Sequence, residues 1–194
     1  MSKSDPAASK RERNKTIRWV VTIFIVTIFI SGAISLLSDV IMENSSVFVA
    51  FLILLAIILI NIISDIIGMA VASADEKPFH SMAARKVPGA QESIALLRNA
   101  ERVSSICNDV VGDICGVVSG SASATIAVQI ISNFDFSWPQ IVSLAMSALA
   151  AGLTVGGKAI GKSFAVNSST AIVHSVGKCI HWLHSLTKAM KKTK

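Results

Sequence analysis

The sequence predicts an all-α integral membrane protein of four transmembrane helices with a C-terminal amphipathic juxtamembrane helix. Three observations carry this. Of the 194 residues, 52% are hydrophobic and only 15% are charged, where a typical soluble domain has about 25% charged residues. The apolar residues fall in four long uncharged blocks instead of periodic stripes. The 18 Lys and Arg residues, which against 12 Asp and Glu give a net charge of +6, lie before, between or after those blocks. A mean hydropathy of +0.63 excludes a disordered chain. The block pattern argues against an ordinary soluble enzyme.

A hydrocarbon core about 30 Å thick needs about 20 apolar residues in a helix. Residues 1–17 form a basic cytoplasmic N-terminus. The first span, 18–38, follows, because the run between Arg18 and Asp39 carries no charge. It is too long for a signal peptide and ends in no A-x-A site. The second span, 46–72, opens with an uncharged run from Glu43 to Asp65. A polar segment then holds a Val-Pro-Gly turn at 87–89, with Ile94, Leu96 and Leu97 beyond it. That pattern predicts a helix, a turn and a helix under the bundle. The third span covers 103–132 and the fourth 139–157. From about Ser169, Ile172, Val176, Cys179, Ile180, Leu183, Leu186 and Met190 recur at helical spacing. His181, His184, Ser185, Lys188 and Lys192 take most other positions, giving a basic amphipathic helix suited to the inner leaflet and its lipids.

The charges check the span count. With four spans, Lys3 to Arg18, Lys77 to Arg102 and Lys158 to Lys194 all fall on one side. The positive-inside rule then places both termini in the cytoplasm of a cell in whose plasma membrane the chain sits. A basic chain could bind nucleic acid if its charges shared one accessible face; here the layout reports orientation, and no nucleic-acid partner is expected. Trp19 would mark the inner interface, and Trp138 with Phe134 and Phe136 the outer one. No segment is long enough for a catalytic domain, no phosphate-binding loop occurs, and no enzyme is expected. Cys107, Cys115 and Cys179 have no metal or redox spacing and read as free thiols. His181 and His184 read as interfacial polar residues.

Polar groups inside the spans are candidates for function by default. Asp65 lies in the second span; Asn108, Asp109, Asp113, Ser119, Ser121 and Ser123 lie in the third. Two readings stay open. The acids pair with Lys158 and hold the bundle together, or their oxygens form a site for a hard cation. Gly112, Gly116 and Gly120 repeat every fourth residue, as do Ala148, Gly152 and Gly156, a spacing that lets membrane helices approach closely. Gly156, Gly157 and Gly161 would weaken the fourth helix at its exit, exposing carbonyls as broken transporter helices do, or marking a plain turn.

The Ser64-Asp65 pair, the stretch GAQESIALLRNAERVSSICNDVVG and the exit GKAIGKSFAV together resemble the DUF21 transmembrane domain of the CNNM/CorC magnesium-transport family. The resemblance covers about residues 46–190. It implies an extra N-terminal transmembrane helix and outer loop (18–45) before a three-helix DUF21-like core with its juxtamembrane helix and basic tail (46–194). Ser64 and Asp65 match the family's Ser-Glu pair, Asn108 the first Asn of its G-N-x-x-x-N motif, Gly157 the Gly of G-E-x-x-P-K and Lys162 its Lys. The resemblance implies that Ser64, Asp65, Asn108 and carbonyls near Gly157 surround Mg²⁺, that the domain forms a homodimer, and that the activity is Mg²⁺ export. The family's nucleotide-binding CBS pair does not occur within these 194 residues, and a separate CBS-containing partner could supply that regulation. Cys107, Gly112 and Gly161 stand where the family has Gly, Asn and Pro, and Lys158 stands where it has Glu. A unit charge 4 Å from another at an effective dielectric of 20 is repelled by roughly 4 kcal/mol, so Lys158 opposes a bound cation unless Asp109 or Asp113 neutralises it. Divalent-cation transport and a non-transporting membrane scaffold or regulatory subunit are therefore both expected readings. A polar cavity with Lys158 turned away would favour the first. A packed core with Lys158 on Asp65, Asp109 or Asp113 would favour the second.

Overall fold

The computed structural model describes residues 6–43, 45–133 and 138–192, with side chains over 17–42, 45–133 and 138–187. Phe134, Phe136 and the side chains of Lys3 to Lys15 and of Lys188 to Lys194 lie outside these ranges. All described elements are helices. They are α1 (Pro6–Glu43), α2 (Val47–Ser73), α3 (Lys77–Ala84), α4 (Ala90–Arg98), α5 (Ala100–Ser105), a π-helical segment (Ile106–Val111), α6 (Gly112–Asn133), α7 (Pro139–Asn167) and α8 (Ser169–Lys192). Among the described residues, four stretches are long and apolar enough to cross a membrane: Ile17–Met42, Val47–Ser73, Ala100–Asn133 and Pro139–Asn167.

The expected helix, turn and helix before the third span are α3 and α4. Lys86, at φ 56°, closes α3 in the left-handed region. Its N–H bonds the Ala83 carbonyl and the Val87 N–H the Met82 carbonyl, the reciprocal pattern that satisfies the last free carbonyls of a helix. Gly89, at φ 85°, then starts α4. Here a glycine is required: a Cβ at this φ would be strained and would run into the backbone of Gly177 and Lys178.

α2 is the central helix, packed chiefly on α7 and α6 and, toward its C-terminal end, on α5, the π-helical segment and α8. Two apolar clusters hold the ends of the bundle. One joins Met42, Ala50, Leu54, Ile58, Ala122, Ile126 and Ala150. The other joins Ala70, Val71, Phe79, Leu97, Ala165 and Val173, where α3, α4 and α8 close the opposite end. Polar Asn61 and Asp65 are buried between them. α1 is peripheral. None of its most apolar window is buried, against 39% for the third span, and it packs chiefly on α6.

Two expectations need revision. α7 does not weaken at Gly156, Gly157 and Gly161 but runs unbroken to Asn167, ten residues past the expected end. Gly157 and Gly161 lie against Ile62 and Ile66 of α2, so their missing side chains let two helices meet, and that packing outweighs a weak intrinsic penalty. Of the glycines in the expected small-residue stripes, Gly112 alone makes a close contact. Gly116, Gly120, Gly152 and Gly156 face open space, whereas Gly68, Gly112, Gly157 and Gly161 meet neighbouring helices.

Candidate functional site

A polar side chain within an apolar span must find a partner or leave a group unsatisfied. On α2, Asn61, Asp65 and Gly68 fall at i, i+4 and i+7 and so share a face, with Ser64 beside them. That face meets α5, the π-helical segment, α6 and α7.

Ser64 Oγ donates to the Cys107 carbonyl at 2.9 Å. This acceptor lies inside the π-helical segment. Asn108, one residue on, donates from Nδ2 to Ser104 Oγ at 3.2 Å. Its Oδ1 occupies the space above Gly68, where a Cβ would collide with it. Gly68 is thus what allows the π-helical segment to seat Asn108 on α2. Asp65 Oδ1 lies 3.5 Å from Lys158 Nζ of α7, with side-chain exposures of 10% for Asp65 and 25% for Lys158. Gly112 makes room for both Lys158 and Asn61: a Cβ there would be 3.4 Å from Lys158 Nζ and 3.7 Å from Asn61 Oδ1.

Three buried oxygens on these residues have no hydrogen-bond partner: Asn61 Oδ1, Asp65 Oδ2 and Asn108 Oδ1. An unmade hydrogen bond of this kind costs about 1–3 kcal/mol. The serines of α6 do not help, because Ser119, Ser121 and Ser123 each donate to a carbonyl three residues back, a local alternative open to short hydroxyl side chains.

Of the four residues singled out for a cation, Ser64, Asp65 and Asn108 meet the facing helices across this seam. Gly157 does not join them through a free carbonyl. It precedes Lys158 within unbroken α7 and faces Ile62. Asp109 is exposed and accepts from Ser105 Oγ at 2.8 Å, and Asp113 is exposed. The charge that neutralises Lys158 is Asp65, not these two. Asn61 and Gly68 were not singled out from the sequence; their four- and three-residue spacings from Asp65 are the signal that could have found them. Among the described residues, no three or more His, Cys, Asp and Glu side chains are grouped to hold a metal, so a cation at this seam would depend on amide and hydroxyl oxygens beside one carboxylate. All three cysteines are free.

A second polar contact joins α4 to α8. Ser93 Oγ is shared between the carbonyls of Gly89 (2.8 Å) and Val173 (3.2 Å). Gly177 lies directly against Ser93 and Gly89. At the edge of this contact His181 Nδ1 meets Glu92 Oε1 at 2.8 Å. The His181 hydrogen bond holds the Glu92 carboxyl below the usual carboxylate range. Burial, with the Lys178 charge nearby, pushes His174 below the usual imidazole range.

No family model matches the chain, and neither the curated proteins nor the solved structures provide a match.

Proposed function

We propose that this chain is a four-span plasma-membrane protein, with both termini cytoplasmic, that transports a hard divalent cation through the seam between α2, the π-helical segment and α7. The observation that carries this reading is the set of three buried, donor-less oxygens on Asn61, Asp65 and Asn108. A core made only for packing would pair or replace such groups, since buried polar groups are almost always satisfied. Carboxylate, amide and hydroxyl oxygens suit a hard cation. π-Helical turns also recur at functional sites. The resemblance of the 95–112 and 157–166 stretches to a magnesium-transport family makes Mg²⁺ the first ion to test and export the expected direction. It also suggests a homodimer and a separate CBS-containing partner. α8 then serves as the amphipathic juxtamembrane helix on the lipid surface.

In this reading Lys158 is a tethered competitor. Its ammonium sits on Asp65, and at an effective dielectric of 20 it repels a cation 4 Å away by roughly 4 kcal/mol per unit of ion charge. An ion enters only as Lys158 withdraws, and its partly exposed, flexible stem gives it somewhere to go. Asp65 is then charge-paired in both states, by the ammonium or by the ion.

A second reading rests on the same ion pair. If Lys158 never leaves Asp65, the chain is a membrane scaffold or regulatory subunit with a plugged seam, and the packed Lys158–Asp65 contact is what that reading expects. Mg²⁺ flux in proteoliposomes separates the two. Wild type is expected to move Mg²⁺, and Asn108→Ala to lower ion affinity by about tenfold or more, as loss of even outer-shell metal partners does. Correctly folded wild-type protein that moves no more Mg²⁺ than empty vesicles would leave the scaffold reading standing.

A further inference from the structure

Among the described residues, the seam between α2, the π-helical segment and α7 holds charge of both signs in equal amount. Asp65 brings one carboxylate and Lys158 one ammonium, 3.5 Å apart. Asn61, Ser64 and Asn108, the other polar side chains there, are uncharged. Asp109 and Asp113 are exposed, and Asp109 is engaged by Ser105. Without an ion the seam is neutral.

Lys158 is also held in place. Gly157 and Gly161, on either side of it, bring α7 against Ile62 and Ile66 of α2, and Gly112 leaves room for its Nζ beside Asn61. However far the flexible stem withdraws, the ammonium stays tethered next to Asp65. The apolar clusters around Ile58 and Phe79 close the bundle on either side of Asn61 and Asp65. A site closed at both ends suits a carrier, which opens first to one side and then to the other. Such a carrier must also return empty. A lone buried carboxylate opposes that return, because a charge taken out of water without a partner is costly. A carrier with a bare acid therefore needs a second, coupling ion on the return leg. Here the chain supplies the counter-charge covalently.

We infer that Lys158 takes the place of a coupling ion, so that the chain carries its divalent cation as an electrogenic uniporter. This rests on the cation-transport reading. Lys158 and Asp65 come back on the empty leg, so a full cycle moves only the two charges of the ion. A potential of about 100 mV acting on two charges sustains a concentration ratio of roughly 2,000. Flow then follows the electrochemical gradient of the ion alone, which is inward across an inside-negative membrane. Export, the direction the resemblance suggests, would need the coupling ion whose place Lys158 holds.

The test is Mg²⁺ uptake by the full chain in proteoliposomes, with Mg²⁺ equal on both sides and the other gradients set one at a time. An outward K⁺ gradient should drive uptake by wild type only when valinomycin turns it into an inside-negative potential. A Na⁺ or pH gradient held at zero potential should drive none. Lys158→Gln leaves Asp65 unpaired in the empty seam alone. Its net uptake should fall about tenfold or more. Exchange of isotopically labelled Mg²⁺ for Mg²⁺ should continue, because the ion itself pairs Asp65 throughout exchange, and that exchange shows the variant to be folded. Asp65→Asn added to Lys158→Gln makes the empty seam neutral again and should restore net uptake relative to exchange. Should the single variant not fold, the wild-type arms decide alone. The inference is overturned by wild type that needs a Na⁺ or pH gradient, by uptake indifferent to the potential, or by Lys158→Gln with net uptake undiminished against exchange. Folded wild type that moves no Mg²⁺ in either mode would sink the transport reading and this inference with it.

Discussion

Lys158 and Asp65 form the one contact on which both functional readings turn. Removing one partner of a buried ion pair costs about 3–5 kcal/mol, because the other charge is left uncompensated. Lys158→Met is therefore expected to lower the thermal midpoint in detergent, and Asp65→Asn added to it should recover most of the loss. Mg²⁺ separates the readings here too. A ligand that binds only the folded state stabilises it in proportion to its affinity, so Mg²⁺ should raise the midpoint of Lys158→Met more than that of wild type. An equal response would remove the role of Lys158 as competitor. At the α4–α8 contact the linkage runs by sign. Glu92 is held below the usual carboxylate range by His181, so the folded state takes up its proton less readily than the unfolded one. The stability this adds is present above the usual carboxylate range and is lost as pH falls through the lowered value. Protection factors of the α4 and α8 amides, which divide out the intrinsic pH dependence of exchange, should fall on acidification across that window, and Glu92→Gln should flatten the response. The Lys158 pairing was legible from charge placement, since Lys158 leaves its span at the depth of the acids. Its partner was legible only as one of three. The Glu92–His181 contact was not, because its residues lie far apart in sequence and no local period links them.

The helices themselves were legible wherever long apolar runs decide the outcome, as in α2, and misread where packing overrides propensity, as in α7. Glycine is penalised in a helix because of its backbone entropy, yet Gly157 and Gly161 are retained where α7 meets Ile62 and Ile66. The four-residue stripes misled for a related reason: spacing reports which residues share a face, not whether another helix covers that face. A matched pair of substitutions tests this. Gly177→Ala would drive a Cβ into Ser93 and the Gly89 carbonyl, and overpacking of this kind costs about 1–3 kcal/mol. Gly116→Ala enters open space and should gain about 0.5–1 kcal/mol from better helix propensity. Thermal midpoints of opposite sign are expected; equal losses would mean that the stripe is covered after all. The π-helical segment had no local signal, because it arises from fitting Cys107 and Asn108 to the face of α2.

For the whole molecule, four membrane-length helices agree with the layout of Lys and Arg, and the two are independent: hydropathy counts the spans, and charge orients them. The proposed orientation puts α8 on the cytoplasmic side. Cys179 is the exposed thiol, whereas Cys107 and Cys115 are half-buried within the third span. A membrane-impermeant maleimide should leave Cys179 unlabelled in intact cells and label it after lysis. Labelling in intact cells would reverse the proposed topology.

One further consequence follows from the π-helical segment. Each residue added to a helix advances everything beyond it by about 100°. The extra residue between Ile106 and Val111 therefore gives the two halves of the third span separate rotational phases. Cys107 and Asn108 meet α2 on one phase, while Val118, Ala122 and Ile126 enter the apolar core on another. Loss of a single residue in this turn would leave both halves helical and that core in place, yet turn Asn108 off Gly68. The polar chemistry and the apolar packing of this helix are thus set on two separate phases of one span.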